Sequence, residues 1–287
     1  GDHRELHLSL RRQRQMCIRD RSWREDDLRN HVKAKLKAGK HALGVSISVM
    51  NPELIRIISN SGFDWVLYDT EHGPWSIETV NDMIQRTAGS TASPIIRVVW
   101  NDMNAIKRAL DTGTFGIIIP WVSSREEAER AVLYSKYPPR GLRGFGPGRA
   151  ARAWGITWEE YVEIADEEIL IAIQIEREEA ISRIEEIVSV EGIDATWLGP
   201  GDLSASMGLI GRFFHPKVVK AMRKMVEACE AAGVAPGIAA GAGVEKFGVE
   251  YVNKLIDEGF KFINIGGDLG LLNLGCKRFL DEINQIK

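Results

Sequence analysis

Cysteine is scarce in this sequence. Its 287 residues include three, Cys17, Cys229 and Cys276, without paired or ligand-like spacing. That gives no disulfide framework and no zinc cluster, and it points to a reducing, cytoplasmic setting. No apolar run approaches the roughly 18–20 residues that span a bilayer. Neither sign of charge dominates: 37 Lys and Arg stand against 40 Asp and Glu, a formal net charge of −3. A polycationic surface for nucleic acid or an anionic membrane is therefore missing. No glycine-rich phosphate fingerprint follows the first strand-like run, where Met50-Asn51-Pro52 stands instead, which argues against a dinucleotide-binding open sheet. Lysine is absent from the interior of every strand-like run, Lys261 lying only at the start of the last. An imine mechanism needs an amine projecting into the cavity and is disfavoured.

What remains is an ordinary globular composition, 44% hydrophobic and 27% charged, large enough for one α/β domain. Residues 1–22 are Arg-dense, have no apolar period and no signal-peptide core, and resemble translated adapter sequence; they are set aside as a disordered or artefactual tail. From residue 23 to 287 a single domain is expected. An N-terminal helix carries Leu28, Val32 and Leu36. Eight apolar runs then follow: Leu43–Val49, Asp64–Tyr68, Pro94–Val99, Phe115–Ile119, Ile169–Ile175, Ala195–Leu198, Val234–Ala239 and Lys261–Ile265. Each is followed by a helix-period stretch, the one after the fifth run holding Ile181, Ile184, Ile187 and Val188 on one face. Near-continuous apolar strands alternating with amphipathic helices predict an α/β fold with a covered parallel sheet. Eight such units in about 250 residues predict a (β/α)8 TIM barrel, whose chemistry sits on the loops after the strands. Tyr134–Trp154, rich in Gly, Pro, Arg and aromatics, breaks the period and is longer than a plain connector.

Polar residues collect at the predicted strand ends: Asp69, Glu71 and His72 after the second run, Arg97 in the third, Gln174 and Glu176 closing the fifth. After the sixth, Gly199-Pro200-Gly201 reads as a loop into Asp202. Singly, Asp69 or Asp202 reads as a helix cap, Arg97 as the partner of a structural acid and Gln174 as a satisfied buried amide. A barrel turns all of them toward one cavity. Two carboxylates without Cys or several His favour Mg²⁺ or Mn²⁺ over structural zinc, with positions open to water and a chelating 2-oxo acid. Such a metal would polarise the carbonyl and acidify the adjacent C–H. Arg97 is suited to neutralising enolate charge and gripping a carboxylate. His72, oriented by Asp69 or Glu71, is suited to moving a proton near neutral pH. The glycines at Gly241–Gly243 and Gly266-Gly267 either bind phosphate or only cap helices.

The segments DWVLYDTEHGPWS, IIRVVWND, KYPPRGLRGFGPGRA, IAIQIE and WLGPGDLSASMG resemble, in order, those of the HpcH/HpaI aldolases, metal-dependent pyruvate aldolases. The resemblance runs from about Leu36 to the C-terminus. It implies a (β/α)8 barrel that assembles as a homo-oligomer, a hexamer built from dimers exchanging C-terminal helices. It also implies a class II aldolase that joins or splits pyruvate and an aldehyde at a metal-held enolate, using Mg²⁺, Mn²⁺ or Co²⁺. Metal ligation would fall to Glu176 and Asp202, and contact with the oxo acid to Gln174 and the Gly201 main chain. His72 would match the base, Arg97 the enolate-stabilising arginine, and Asp111 an aspartate assigned to transition-state stabilisation, reaching a neighbouring subunit's site. The loop Arg140–Arg149 departs from the R-G-V-G-S form and is more similar to the branch with macrophomate synthase and a siderophore citrate synthase. The acceptor, and oxaloacetate decarboxylation or condensation as an alternative, stay open.

Overall fold

The computed structural model describes residues 30–285. The tail expected at 1–22, Cys17 within it, and Leu28 lie outside the described residues. Eight strands, β1 (Ala42–Ile47), β2 (Trp65–Asp69), β3 (Ser93–Arg97), β4 (Gly116–Ile119), β5 (Leu170–Ile175), β6 (Ala195–Leu198), β7 (Gly237–Ala239) and β8 (Phe262–Gly267), pair in sequence order, all parallel. The β1–β8 pairing closes them into a barrel, with a register shift between Gly44 and Ser46. The (β/α)8 expectation holds. No helix among the described residues is long and apolar enough to cross a membrane.

A two-residue period sorts the strand side chains. Trp65, Leu67, Ile95, Ile118, Leu170, Ala172, Trp197 and Phe262 form one buried cluster inside the barrel. Their strand neighbours Val66, Tyr68, Ile96, Ile117, Ile119, Ile171 and Ile173 belong to a second, between barrel and helices. Continuing the inward alternation one step toward the C-terminal rim reaches Asp69, Arg97 and Gln174. The interior is plugged by three aromatic rings: Trp65 stacks on Phe262 at 4.3 Å, and Trp197 meets each edge-on at 5.5 Å. The first described helix, α1 (His31–Lys37), covers the opposite end. Its Val32 and Leu36 join the interior cluster, and Asn30 ties it to Phe115 and Glu168.

Local chemistry starts the helices where the sequence suggests. In α2 (Pro52–Ser59), α3 (Ile77–Thr87), α4 (Met103–Leu110) and α5 (Arg125–Ser135), the side chains of Asn51, Ser76, Asp102 and Ser124 accept first-turn amides. Four departures have physical reasons. The Tyr134–Trp154 interval contains a helix, α6 (Gly148–Trp154), where Ala150, Ala151 and Ala153 restore helix propensity before Gly155 ends it at φ 73°. It is followed by α7 (Trp158–Glu168), with a Thr157–Glu160 capping box. The single helix expected between β5 and β6 is two, α8 (Glu178–Ser182) and α9 (Ile184–Val188), parted at Arg183 (φ −112°, ψ 15°). The expected loop Gly199–Gly201 is the start of α10 (Pro200–Ser206), because Pro200 suits a first helical position. After α11 (Pro216–Ala232) and β7, the expected helix over Val244–Glu258 is split into α12 (Gly241–Phe247) and α13 (Val249–Asp257) by Gly248, at φ 67°. The chain closes with α14 (Asp268–Gln285).

Trp65 fits inside the barrel only because β1 offers no side chain opposite it: a Cβ on Gly44 would lie 2.1 Å from the indole. Gly44→Ala should therefore destabilise the fold by about 1–3 kcal/mol, the range for overpacking a core. Urea unfolding would show it as a lower midpoint at an unchanged slope.

Candidate active site at the C-terminal rim

Arg97 is the hub of the rim. β2 and β3 place Asp69 and Arg97 side by side in register, and the guanidinium grips the carboxylate with two bonds, Nε to Oδ1 at 2.9 Å and Nη2 to Oδ2. Its third nitrogen, Nη1, lies 3.2 Å from Glu71 Oε2 and donates to Gln174 Oε1 at 3.3 Å. Burial pushes the Asp69 carboxyl up, but Arg97 and the amides of His72 and Glu71 outweigh it and hold the group below the usual carboxylate range. Glu71 goes the other way. Burial, reinforced by the charges of Glu176 and Asp69, raises it to about 7 against the opposing pull of Arg97 and His72. Its Oε2 is buried without a hydrogen-bond partner.

Glu176, one residue beyond β5, is 2% exposed and Gln174 fully buried. Gln174 Nε2 donates to Glu176 Oε2, and the Trp121 amide donates to Oε1 at 2.9 Å. Trp121 is the one non-glycine residue at positive φ, 60°, among the described residues, a conformation that costs an L-residue roughly 1–2 kcal/mol. The end of β6 comes close here: a Cβ on Gly199 would sit 3.4 Å from Glu176 Oε2. Asp202, in the first turn of α10, is exposed, and its charge adds to burial in raising the Glu176 carboxyl.

Two expected members sit differently. The His72 ring is 61% exposed, and its Nε2 stands 3.8 Å from Glu71 Oε2. Asp69 accepts the His72 main-chain N–H at 3.2 Å rather than the ring, because Arg97 occupies its carboxylate. Glu71, not Asp69, is the acid beside the imidazole. Asp111, at the end of α4, does not join the cluster within this chain. It pairs with Arg143 at 3.2 Å, whose guanidinium is buried over the ring of Tyr137 at 4.4 Å and bonds Tyr161 Oη at 3.1 Å.

Sequence comparison decides the family. The HpcH/HpaI aldolase/citrate lyase pattern matches residues 43–273. The chain belongs to the HpcH/HpaI aldolase/citrate lyase family. It is 36% identical over 251 residues to 4-hydroxy-2-oxo-heptane-1,7-dioate aldolase of Salmonella typhimurium, covering 87% of this chain and 93% of that one. It is 38% identical over 248 residues to pyruvate aldolase of Rhizobium etli, covering 86% and 95%. Among solved structures, a family member from Burkholderia cenocepacia superposes with a TM-score of 0.81 at 28% identity, over 89% of this chain and 99% of that one. A citrate synthase superposes at 0.75 with 29% identity, over 88% and 97%. Membership makes this chain a carbon–carbon lyase.

Members of this family generally depend on a divalent metal, and the rim suits one. Asp69 and Glu71 lie against the Arg97 guanidinium, Glu176 feels its charge, and Asp202 adds its own charge to Glu176; of these four carboxyl groups, Glu71 and Glu176 are pushed upward. That excess of negative character in a sheltered site is what a hard cation neutralises. Among the described residues no three His, Cys, Asp or Glu side chains gather as a metal cage, so an ion here would draw on fewer than three such side chains and leave its remaining positions to water and substrate. Sequence reasoning missed Trp121, whose contribution is a main-chain N–H that any residue type carries, and Arg143, whose only signal was an arginine inside a glycine-rich loop.

The raised Glu71 has a consequence for stability. With the folded carboxyl at about 7 against its ordinary 4.5, the unfolded chain sheds the proton first, so stability falls as pH rises from 4.5 through 7. Glu71→Gln removes that step. In metal-free buffer the variant should gain on the parent above pH 7 and lose the advantage below pH 4.5, read by urea midpoints across pH.

Proposed function

We propose that this chain is a class II pyruvate aldolase, cleaving or forming a 4-hydroxy-2-oxo acid from pyruvate and an aldehyde. The observation that carries the reading is the surplus of carboxyl groups around Arg97, with Glu176 fixed by the Trp121 amide and the Gln174 side chain. Glu176 and Asp202 would hold Mg²⁺, Mn²⁺ or Co²⁺. When bound there, the ion polarises the 2-oxo group and lowers the pKa of the neighbouring C–H. The neutral donors Gln174 and the Gly201 main chain meet the oxo acid, and Arg97 balances the charge that grows on the oxygen. In the cleavage direction, the His72 imidazole takes the proton from the C4 hydroxyl, the C3–C4 bond breaks, and its electron pair stays with the pyruvate fragment as an enolate. Protonation at C3 releases pyruvate. The two buried lysines among the described residues support a route without an imine. Lys33 bonds Ile169 O at the opposite end of β5, and Lys136 bonds Asp166 O in α7.

Asp111, held by Arg143, completes a neighbouring subunit's site in an oligomer. The assembly reading rests on α14, which exposes Leu269, Leu272, Leu274, Phe279, Leu280 and Ile283, a run fitted to exchange between partners in a dimer that builds a hexamer. Leu272→Glu with Phe279→Glu should lower the mass seen by sedimentation. A second chemistry, the same enolate condensing with another acceptor or arising by decarboxylation of oxaloacetate, is favoured by the likeness to a citrate synthase.

Exchange of pyruvate methyl protons with deuterated water tests the core of the reading. Glu176→Gln and Asp202→Asn should each slow Mg²⁺-supported exchange by at least about 100-fold. Full exchange in chelator-treated protein contradicts it. Oxaloacetate consumption faster than aldol cleavage under the same metal favours the second chemistry.

A further inference from the structure

Next to the carboxylate cluster, the rim carries two large aromatic side chains that the proposed chemistry does not use. Trp100 follows β3 by three residues and is 51% exposed; Trp121 follows β4 by two and is 41% exposed. Their ring centroids are 5.8 Å apart and the planes are inclined by 37°, too close and too splayed to admit a ring between them, so a planar group would lie against the half-exposed solvent side of the pair as on a platform. Leaving two indoles in water forfeits burial free energy, and placing one of them at φ 60° adds strain. The same strained residue gives its amide to Glu176 at 2.9 Å, so the platform is rigidly joined to the site.

The loops that carry the indoles are also braced. Asn101 Nδ2 donates to Glu127 O at 2.9 Å, and the Ser123 amide to Glu127 Oε2 at 2.7 Å. Both loops are thereby pinned to the first turn of α5. A cation beside the platform already has an acidic partner. The Arg177 guanidinium lies over the Trp121 ring at 5.5 Å and 3.6 Å from Glu179.

Resting on the aldolase reading, we infer that Trp100 and Trp121 select the acceptor, and that the acceptor is an aldehyde with a flat aromatic body rather than an acidic chain. A planar group lying on the indoles presents its carbonyl to the nucleophilic carbon of pyruvate held between Arg97 and Glu176. The platform contributes stacking and the exclusion of water, while the bond-making groups are those already described.

Two readouts separate this inference from the reading beneath it. Pyruvate proton exchange, which needs no aldehyde, reports the donor half-site. Competition among benzaldehyde, succinic semialdehyde and acetaldehyde for aldol addition to pyruvate reports the platform as a ratio of kcat/KM values within one enzyme, which cancels any general loss of activity. The parent should favour benzaldehyde over acetaldehyde by about tenfold or more. Trp100→Ala and Trp121→Gly, the latter keeping the amide and tolerating φ 60°, should bring that ratio close to one; Trp121→Phe, which retains a ring, should keep most of it. Native protein that exchanges pyruvate protons but favours succinic semialdehyde, or variants that keep the parent's ratio, overturn the inference alone. Native protein that exchanges none contradicts the aldolase reading, and the inference falls with it.

Discussion

Everything at the rim depends on how Arg97 is shared. One guanidinium sits among Asp69, Glu71 and Gln174, with Glu176 and Asp202 just beyond. It can satisfy Asp69 fully, because the β2–β3 register aligns the two for a bidentate grip. It cannot satisfy the rest. Glu71 is left with a buried oxygen that Nη1 approaches at 3.2 Å without a hydrogen bond and with a carboxyl raised to about 7, and the Glu176 carboxyl rises as well. The imbalance is a local cost to the fold and, in the proposed chemistry, the source of affinity for a divalent cation and a chelating oxo acid.

The barrel makes that imbalance sustainable. Beneath the polar layer, Trp65, Trp197 and Phe262 fill the interior with stacked and edge-on rings, which denies water a route to the carboxylates from below. α1 shuts the far end with Val32 and Leu36. The energy of this apolar plug offsets the burial of charged groups above it, a common division of labour in which functional sites tolerate local strain. Trp121 is the second such strain. A main-chain donor aimed at Glu176 requires the loop after Pro120 to turn through positive φ, and the same turn leaves the indole facing solvent beside Trp100.

Much of this was legible from residue order. The eight apolar runs located the strands to within a few residues, because a buried parallel strand needs an unbroken apolar stretch and a helix needs its own period. The polar residues ending those runs fell together because parallel strands present all their C-terminal ends to one rim. Pairings across the barrel were less accessible. Nothing in the order Asp69, Glu71, His72 says that Asp69 turns to Arg97 and leaves Glu71 beside the imidazole; that choice is made by the register of β2 on β3. Asp111 reads as a helix end until Arg143 is brought to it by a distant loop. The splits at Arg183 and Gly248 depended on local dihedrals, and Pro200 turned an apparent loop into a helix start. The Trp121 amide was invisible in principle, since a backbone N–H leaves no mark in the sequence.

The central claim is that the surplus of carboxylate around Arg97 forms a divalent-cation site that a 2-oxo acid completes. Binding of Mn²⁺, followed through the relaxation of solvent water protons, tests it most directly. The account predicts one strong site per chain, lost in Glu176→Gln, with an enhancement that drops when pyruvate displaces water from the ion. Failure to bind Mn²⁺, or binding that pyruvate leaves unchanged, would contradict it.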